Sequence, residues 1–325
     1  MSRYHRFYIL LAIAVVVVAG VSIAVGTCGV PFRVAWRGLG LPRLVMGILA
    51  GASLATAGAM FQALFRNPLA SPYTLGVSSG ASLGAAVAII LLGGGMWYGL
   101  PVVSLVSFIG ASICVTAVYA IAHLRQGHST ATLLLAGITI GFICSALIVL
   151  LLFYSHEHDL SAAVRWMMGS VQIVGLDPVY ESIAMVALAG GVAVYLHRDL
   201  DLLMMGEVVA ASRGVSVRRS RRMIYFSASL LTAGIVAHCG PIGFVGLLVP
   251  HMMRFFVGPS HRHLLPACAL AGAAFLPLCD LLARNAMWWL RGESRLIPVG
   301  VLTNLVGGGF FLYLLLSRRR DRPVP

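Results

Sequence analysis

The stretch QALFRNPLASP, at residues 62–72, joins the end of one apolar run to a glycine-rich run, LGVSSGASLG, at residues 75–84. Its asparagine and proline disrupt a helix end and free backbone groups from helical pairing. Irregular backbone at membrane depth is tolerated only where protein or a water-filled cavity covers it. The junction therefore indicates a membrane transport protein, although a plain helix stop at the membrane surface gives the same pattern.

The rest of the chain has the composition of a polytopic membrane protein. Of its 325 residues, 59% are hydrophobic and 10% are charged, and apolar runs near the roughly 20 residues of a bilayer crossing recur throughout. We expect a single all-α transmembrane domain over residues 1–325. The predicted spans are residues 7–26, 44–65, 75–92, 101–122, 133–154, 181–196, 223–239, 245–257, 264–283 and 298–316.

The eighth predicted span, residues 245–257, is short for a crossing and contains Pro250. This pattern predicts a half-span or a broken helix. Residues 50–58 and 232–240 share a small-residue pattern, and a stretch containing proline follows each. Because the two spans run in opposite directions in the predicted topology, the pattern indicates an inverted repeat.

Basic residues set the predicted orientation. The sequence has no lysine, so its 23 basic residues are all arginines. With the N-terminus and the C-terminus in the cytoplasm, most of them lie on the cytoplasmic side, as the positive-inside rule expects. The net charge of +13 does not indicate nucleic-acid binding, because the arginines flank apolar spans instead of alternating with aromatic residues on a soluble face. The bilayer is the expected partner.

The acidic residues bear on the energy source. Carriers driven by an ion gradient usually keep carboxylates near the bilayer centre, whereas the ten acidic residues here lie at span ends or in loops, with Asp280 and Glu181 nearest to burial. A phosphate-binding loop needs a lysine, which this chain lacks. We therefore expect a transport subunit with no catalytic residue and no bound cofactor. ATP and magnesium would be bound by a separate partner, and an ion-coupled secondary carrier is the alternative.

A second alternative is an intramembrane metalloenzyme that uses the cluster His156-Glu157-His158-Asp159. Two histidines at i and i+2 on a loop are a weak signal for a metal site. A solvated loop on the outer side is the favoured explanation of the cluster, and no metal site is predicted.

The longest polar segment between spans covers residues 199–222 and lies on the predicted cytoplasmic side. Its sequence predicts a short amphipathic helix from Leu202 that stops at Gly214, followed by a basic second piece. Two short helices with a turn would form a rigid knob for a partner. An ordinary solvated loop is the alternative.

Several motifs, in matching order, resemble those of the FecCD-type permeases of ABC importers. They are NPLA at 67–70 with LGVS at 75–78, LLLAG at 133–137, WMMG at 166–169, the 206–214 segment, GFVGLLVPH at 243–251 and PVGV at 298–301. The resemblance runs from about residue 43 to residue 316. Members of this family import iron siderophores, haem and vitamin B12.

This resemblance implies the architecture of a type II importer permease with ten helices per subunit and an inverted repeat. It also implies a second permease copy, most simply in a homodimer, with the path at the dimer interface and residues 132–154 lining it. Two ABC ATPase subunits, a periplasmic binding protein and an inner-membrane location complete the expected system. An iron siderophore or haem is the first expected cargo, and cobalamin is the alternative.

The resemblance also implies roles for individual residues. The positions that match the cytoplasmic gate are Asn67, Pro68, Leu69, Ser129 and Thr130. The positions expected to couple the chain to the ATPase are Gly206, Glu207, Ala211, Arg213 and Gly214.

Arginines on the predicted outer side form a separate group, because they depart from the positive-inside bias. Complementary charge steers and orients a transient partner, which predicts a docking surface for the binding protein, with anionic lipid as the alternative. The proposed docking residues are Arg37, Arg43, Arg284 and Arg295, of which Arg43 and Arg284 match the family's docking arginines. The family's third docking arginine is Gly40 here, and its Gly-x-Pro in the last helix is replaced by three glycines at 307–309.

Overall fold

The computed structural model describes residues 3–25, 40–97, 100–124, 130–292 and 296–317. We number its helices in chain order. They are α1 (Arg3–Val25), α2 (Leu41–Leu64), α3 (Val77–Ile90), α4 (Val102–Leu124), α5 (Thr130–Tyr154), α6 (Glu157–Met167), α7 (Asp177–Tyr195), α8 (His197–Met205), α9 (Glu207–Ser212), α10 (Val217–Cys239), α11 (Val245–Val257), α12 (His261–Arg291) and α13 (Val299–Ser317). A 3-10 turn, Pro72–Leu75, precedes α3, and a two-stranded antiparallel hairpin, Met96–Trp97 with Leu100–Pro101, precedes α4.

The predicted all-α polytopic architecture is confirmed. Eight helices in the described part of the chain are long and apolar enough to cross a bilayer, and each corresponds to a predicted span. α3 and α11 are apolar but have only 14 and 13 residues, fewer than the roughly 20 that a crossing needs. The prediction of a half-span at 245–257 is therefore confirmed. The span predicted at 75–92 is shorter in the structure, since Gly76 takes a left-handed conformation (φ +77°) and the helix runs only from Val77 to Ile90.

α2 lies at the centre of the fold, between α12, α10 and α11. Its glycines allow direct backbone contact with two of these neighbours. A Cβ added to Gly51 would lie 2.0 Å from the backbone oxygen of Gly272 in α12, and one added to Gly58 would lie 1.8 Å from that of Gly246 in α11. Small residues bring membrane helices together in this way, so the glycine pattern of α2 explains its central position.

The same sequence of elements occurs twice in the chain. A long helix, α2 or α10, is followed by an irregular break that contains proline, and then by a short helix, α3 or α11. The C-terminal part of α2 contacts the N-terminal part of α10, where the rings of Phe61 and Tyr225 lie 6.2 Å apart, so these two helices run in opposite directions. The arrangement agrees with the predicted inverted repeat.

The segment predicted as a solvated loop after α5 is instead helical. α6 begins after His156 and carries Glu157 and Asp159 in its first turn. Carboxylates in a first turn stabilise a helix by their interaction with its dipole. This helix was not predicted because the spans were identified from apolar runs, and its sequence contains several charged residues.

Candidate functional site

The two helix breaks meet and border a cleft of about 340 Å³. A Cβ on Gly246, at the start of α11, would lie 3.4 Å from Cδ of Pro72 in the first break. The amide of Gln62 in α2 also donates a hydrogen bond to the backbone oxygen of Gly246 (3.4 Å). The cleft is lined by Ser71, Tyr73, Met167, Pro241, Gly243, Phe244, Leu247 and Asn304. None of these lining residues has a formal charge at neutral pH.

Asn304 is the most informative of the lining residues. It is an exposed amide on α13, a helix that is otherwise almost wholly apolar. A Cβ on Gly243 would lie 2.1 Å from its Oδ1 atom, so the side chain extends across the second break. A polar side chain at membrane depth requires water or protein around it. The α13 wall of the cleft is therefore suited to water or to a polar ligand, while Phe244, Leu247 and Met167 form an apolar wall.

The second break has a strained backbone that α13 holds in place. Phe244 has φ +63°, a left-handed conformation that is uncommon for a bulky residue. Its ring lies directly on Gly307, where an added Cβ would lie 2.2 Å from Cγ of Phe244. Gly307, the glycine that the family's Gly-x-Pro pattern also has, therefore makes room for this ring, whereas a Cβ added to Gly308 or Gly309 would meet nothing within 4 Å.

The first break contains the predicted gate residues Asn67, Pro68 and Leu69. α2 ends at Leu64, where Arg66 takes a left-handed conformation (φ +49°) and the backbone N–H of Asn67 donates to the backbone oxygen of Gln62 (3.1 Å). Oδ1 of Asn67 then accepts a hydrogen bond from the backbone N–H of Leu69 (2.9 Å), an Asx turn that continues the break. Pro68 has no backbone N–H to continue the helix. The predicted helix stop is thus confirmed, and the role of these residues in a gate stays a prediction.

The other predicted gate residues precede or begin α5. Ser129 lies outside the described residues, and Thr130 is the first residue of α5. The structure joins α5 to the first break at a different point, Gly137, where an added Cβ would lie 2.7 Å from the backbone oxygen of Thr74. Gly137 belongs to the LLLAG motif, but the sequence alone carried no signal for this long-range contact.

The predicted coupling segment forms two short helices, α8 and α9. The break between them is at Gly206, with φ +119° and ψ 154°, and the segment turns again at Gly214, with φ +84°. The predicted stop at Gly214 is confirmed. The prediction of one helix from Leu202 to Gly214 is wrong, because Gly206 takes a backbone conformation that favours glycine. The basic second piece is also not separate, since it forms the first turns of α10.

Carboxylates fix this segment to the ends of three long helices. Glu207 in α9 pairs with Arg221 of α10 (3.0 Å) and with Arg66 just after α2 (3.8 Å). Asp199 in α8 accepts a hydrogen bond from Ser220 of α10. A third carboxylate, Asp201, binds the start of α12. The segment is therefore a rigid knob and not a solvated loop.

The tip of the knob is exposed and partly apolar. Met205 and Val208 are 70% and 84% exposed, and the predicted coupling residues Ala211, Arg213 and Gly214 are exposed beside them. The other two predicted coupling residues have roles inside this chain: Gly206 separates α8 from α9, and Glu207 pairs with Arg221 and Arg66. Met205 and Val208 are not among the residues predicted from the sequence, although apolar residues in a polar segment could have indicated a contact surface.

Two of the predicted docking arginines are buried. The guanidinium of Arg43 donates to both carboxylate oxygens of Asp280 in α12 (2.9 and 2.7 Å), and Arg284 donates to the backbone oxygen and the hydroxyl of Ser22 in α1 (2.8 Å each). This differs from the expectation of an exposed docking surface, since a buried charge is stable only when it is paired and hydrogen-bonded. Arg37 and Arg295 lie outside the described residues, so their docking role stays a prediction.

The metalloenzyme alternative requires several metal-ligating side chains in one place. Within the described ranges, no three His, Cys, Asp or Glu side chains come close enough to hold a metal ion. His158 is almost fully exposed and lies 3.5 Å from Asp159. The two carboxylates that the sequence places nearest to burial have partners, Asp280 in Arg43 and Glu181 in Nε2 of His238 (3.3 Å).

Known proteins resemble this chain along almost its whole length. The model of the FecCD transport family matches residues 33–317. The cobalamin import system permease protein BtuC of Halobacterium salinarum is 42% identical over 290 residues, which cover 87% of this chain and 73% of that protein. The hemin transport system permease protein HmuU of Yersinia pestis is 34% identical over 293 residues, covering 88% and 84%. A solved structure assigned to a metal-chelate type ABC transporter, in an inward-facing conformation, has a TM-score of 0.85 and 30% identity, covering 96% of this chain and 99% of its own.

Proposed function

Because this chain belongs to the FecCD transport family, we propose that it is the permease subunit of an ATP-driven importer that carries a bulky metal chelate. The observation that carries this proposal is the cleft at the meeting point of two half-membrane helices. Broken helices at the interface of an inverted repeat are where transporters of other families bind substrates. An uncharged lining with one polar wall suits a large ligand whose metal charge is already shielded by its chelator.

Among metal chelates, we propose a macrocyclic complex as the cargo. The two relatives described above are named for cobalamin and hemin, and both of these molecules hold a metal ion inside a nitrogen macrocycle. Cobalamin is the first candidate, since the relative named for it has the higher identity, and haem is the second. This order revises the sequence-based preference for an iron siderophore, which remains the third candidate.

A second copy of the chain would complete the path. The exposed faces of α5 and α13 carry large apolar side chains such as Phe142, Phe153, Leu305 and Tyr313. Asn304 lies on the exposed side of α13, where a homodimer interface would shield it from lipid. This arrangement would place the clefts of two copies beside a common path, with Asn67, Pro68, Leu69, Ser129 and Thr130 near its cytoplasmic gate.

The remaining partners follow from the two ends of the molecule. The knob would dock on one of two ATPase subunits through the exposed tip that includes Met205, Val208 and Arg213. A periplasmic binding protein would deliver cargo at the opposite end, with both chain termini in the cytoplasm and the protein in the inner membrane. The absence of lysine from the whole sequence supports ATP hydrolysis by a separate subunit, since a phosphate-binding loop requires one.

Uptake by proteoliposomes tests this proposal. The vesicles would contain this chain with its ATPase subunit, and would receive binding protein with cobalamin, haemin or a ferric siderophore in parallel. We expect uptake of a macrocyclic chelate that requires ATP and stops when the ATPase subunit is replaced by a hydrolysis-deficient variant. Uptake driven by an ion gradient without ATP would overturn the proposal.

A further inference from the structure

Asp201 joins the knob to the first turn of α12. One oxygen of its carboxylate accepts hydrogen bonds from the backbone N–H of His261 (2.7 Å) and from Nδ1 of the same histidine (2.6 Å). The other oxygen accepts from the hydroxyl of Ser260 (3.1 Å). Three donors at the start of one helix therefore converge on a carboxylate from a different helix.

This contact replaces the usual cap of α12. Ser260 occupies the N-cap position, but its side chain makes no capping hydrogen bond within α12, although serine commonly does so. Asp201 supplies the acceptor from a position 60 residues earlier. Burial raises the pKa of Asp201, but the hydrogen bonds from His261 and Ser260 outweigh this effect and lower the pKa below its usual range. The acceptor is thus a carboxylate, which also suits the positive end of the helix dipole.

The hydrogen-bonded link to α12 is better shielded than the ion pairs that Glu207 makes in the knob. The side chain of His261 is fully buried, whereas Glu207 and Arg66 are each 44% exposed. Exposed ion pairs hold two elements together only weakly, because water and salt screen them. Moving α8 away from α12 would instead strand buried donors, which is costly. α8 and the start of α12 are therefore expected to move together.

α12 extends from this link to the opposite end of the molecule. It is a continuous helix of 31 residues, despite Pro266 and Pro277, and at a rise of 1.5 Å per residue it is roughly 46 Å long. Near its far end, Asp280 binds Arg43 of α2 and Arg284 binds Ser22 of α1. One rigid element thus connects the knob to buried polar contacts at the predicted outer end.

We propose that Asp201 is a positioning residue that transmits movement of the knob through α12 to the outer ends of α1 and α2. The proposal rests on the proposed function, in which an ATPase subunit moves the knob. Coupling between distant sites requires a physical connection whose state both sites influence. α12, joined to the knob at one end and to α1 and α2 at the other, provides such a connection.

The experiment separates transmission from helix capping. Asp201→Ala removes both the cap and the link, whereas the double variant Asp201→Ala with Ser260→Asp places a capping carboxylate on α12 itself and leaves the link broken. Asp159→Ala is the matched control. This aspartate lies on α6, away from the knob and α12, and its contact described above is with the exposed His158. Each assembled importer is measured for Tm and for ATP hydrolysed per cobalamin imported, or per haemin if the unaltered importer carries haemin.

We expect the double variant to regain the capping part of the Tm that Asp201→Ala loses, while both variants hydrolyse about fivefold more ATP per imported molecule, the lower end of common coupling strengths. The Asp159→Ala control should keep the normal ratio of ATP hydrolysed per imported molecule and lose only the small stabilisation that this carboxylate gives the first turn of α6. A double variant that regains normal coupling, or an Asp201→Ala variant that never lost it, would overturn the inference. Failure of the unaltered importer to use ATP for uptake would instead overturn the proposed function, so the two failures are distinguishable.

Discussion

α2 and α5 are nearly equal in length, with 24 and 25 residues, yet they occupy opposite environments. In the most apolar part of α2, 78% of the residues are buried by the rest of the chain, against 28% in α5. α5 is the richer in large aliphatic side chains, while α2 carries the glycines that contact α11 and α12. Apolar character thus indicates that a helix enters the bilayer, whereas small residues indicate that it lies at the centre. The face that α5 leaves uncovered is available for a partner or for cargo.

The largest effect is expected where α2 contacts α11. Gly58→Ala places a Cβ 1.8 Å from the backbone oxygen of Gly246, and backbone cannot move aside as a flexible side chain can. We expect a loss of stability above the roughly 1–3 kcal/mol of ordinary overpacking, seen as the loss of folded protein after purification in detergent. Gly190→Ala in α7 is the control, since its added Cβ meets nothing within 4 Å. Equal yield and Tm for the two variants would contradict the account of α2.

The next largest effect is expected at the buried ion pair between α2 and α12. Asp280→Ala leaves the guanidinium of Arg43 buried without its partner, and we expect a loss of about 3–5 kcal/mol in the free energy of unfolding. The double variant Arg43→Met with Asp280→Leu removes both charges and should recover most of that loss. Denaturant unfolding in detergent measures both. If Asp280→Ala retains the original stability, Arg43 is not a structural residue and the docking interpretation gains support.

Substitution on the exposed face of α5 is expected to have a smaller effect on stability but a large effect on transport. Phe142 is 72% exposed, so Phe142→Ala should change the free energy of unfolding of one chain by no more than about 0.5 kcal/mol. If this face contacts a second copy or the path, uptake and dimer content should nevertheless fall. Leu10→Ala on α1, where Leu10 is 62% exposed, is the control for a face that only contacts lipid. Identical uptake by both variants would mean that α5 is a lipid-facing helix like α1.

The smallest effect concerns pH at the link between the knob and α12. Because the folded protein holds the pKa of Asp201 below its usual range, the carboxylate stabilises the fold at pH values above about 3.9, the ordinary pKa of aspartate. This contribution is lost as the pH falls through the lowered pKa. The difference in Tm between the unaltered protein and Asp201→Ala should therefore be constant near neutral pH and shrink below about pH 4. A difference that grows in acid would contradict this link.

Local patterns in the sequence predicted much of this fold, because membrane entry depends on a continuous apolar run. The stop at Asn67-Pro68, the half-span at α11 and the turn at Gly214 could also be predicted, because each depends on residues that are adjacent in the sequence. The helical nature of α6 was missed because its charged first turn resembles a loop. The break at Gly206 was missed because glycine is also tolerated inside helices.

The parts of the site that depend on tertiary contacts had no such signal. Arg43 and Asp280 are 237 positions apart, and the sequence alone could not show that they pair in the interior. The cleft depends on two breaks and on α13, three segments that are separate in the chain. The position of Asn304 on the wall of the cleft is likewise a consequence of packing, since an isolated asparagine in an apolar run is compatible with several environments.

The measurement that tests the central claim most directly is the water accessibility of position 304. With the six native cysteines replaced, Asn304→Cys would be treated with a membrane-impermeant maleimide in the assembled importer, with and without loaded binding protein and ATP. If the cleft forms part of the transport path, the thiol should react, and its labelling rate should change during turnover with cobalamin or haemin. A thiol that stays unreactive from both sides of the membrane in every state would exclude position 304 from a water-filled path and contradict the account.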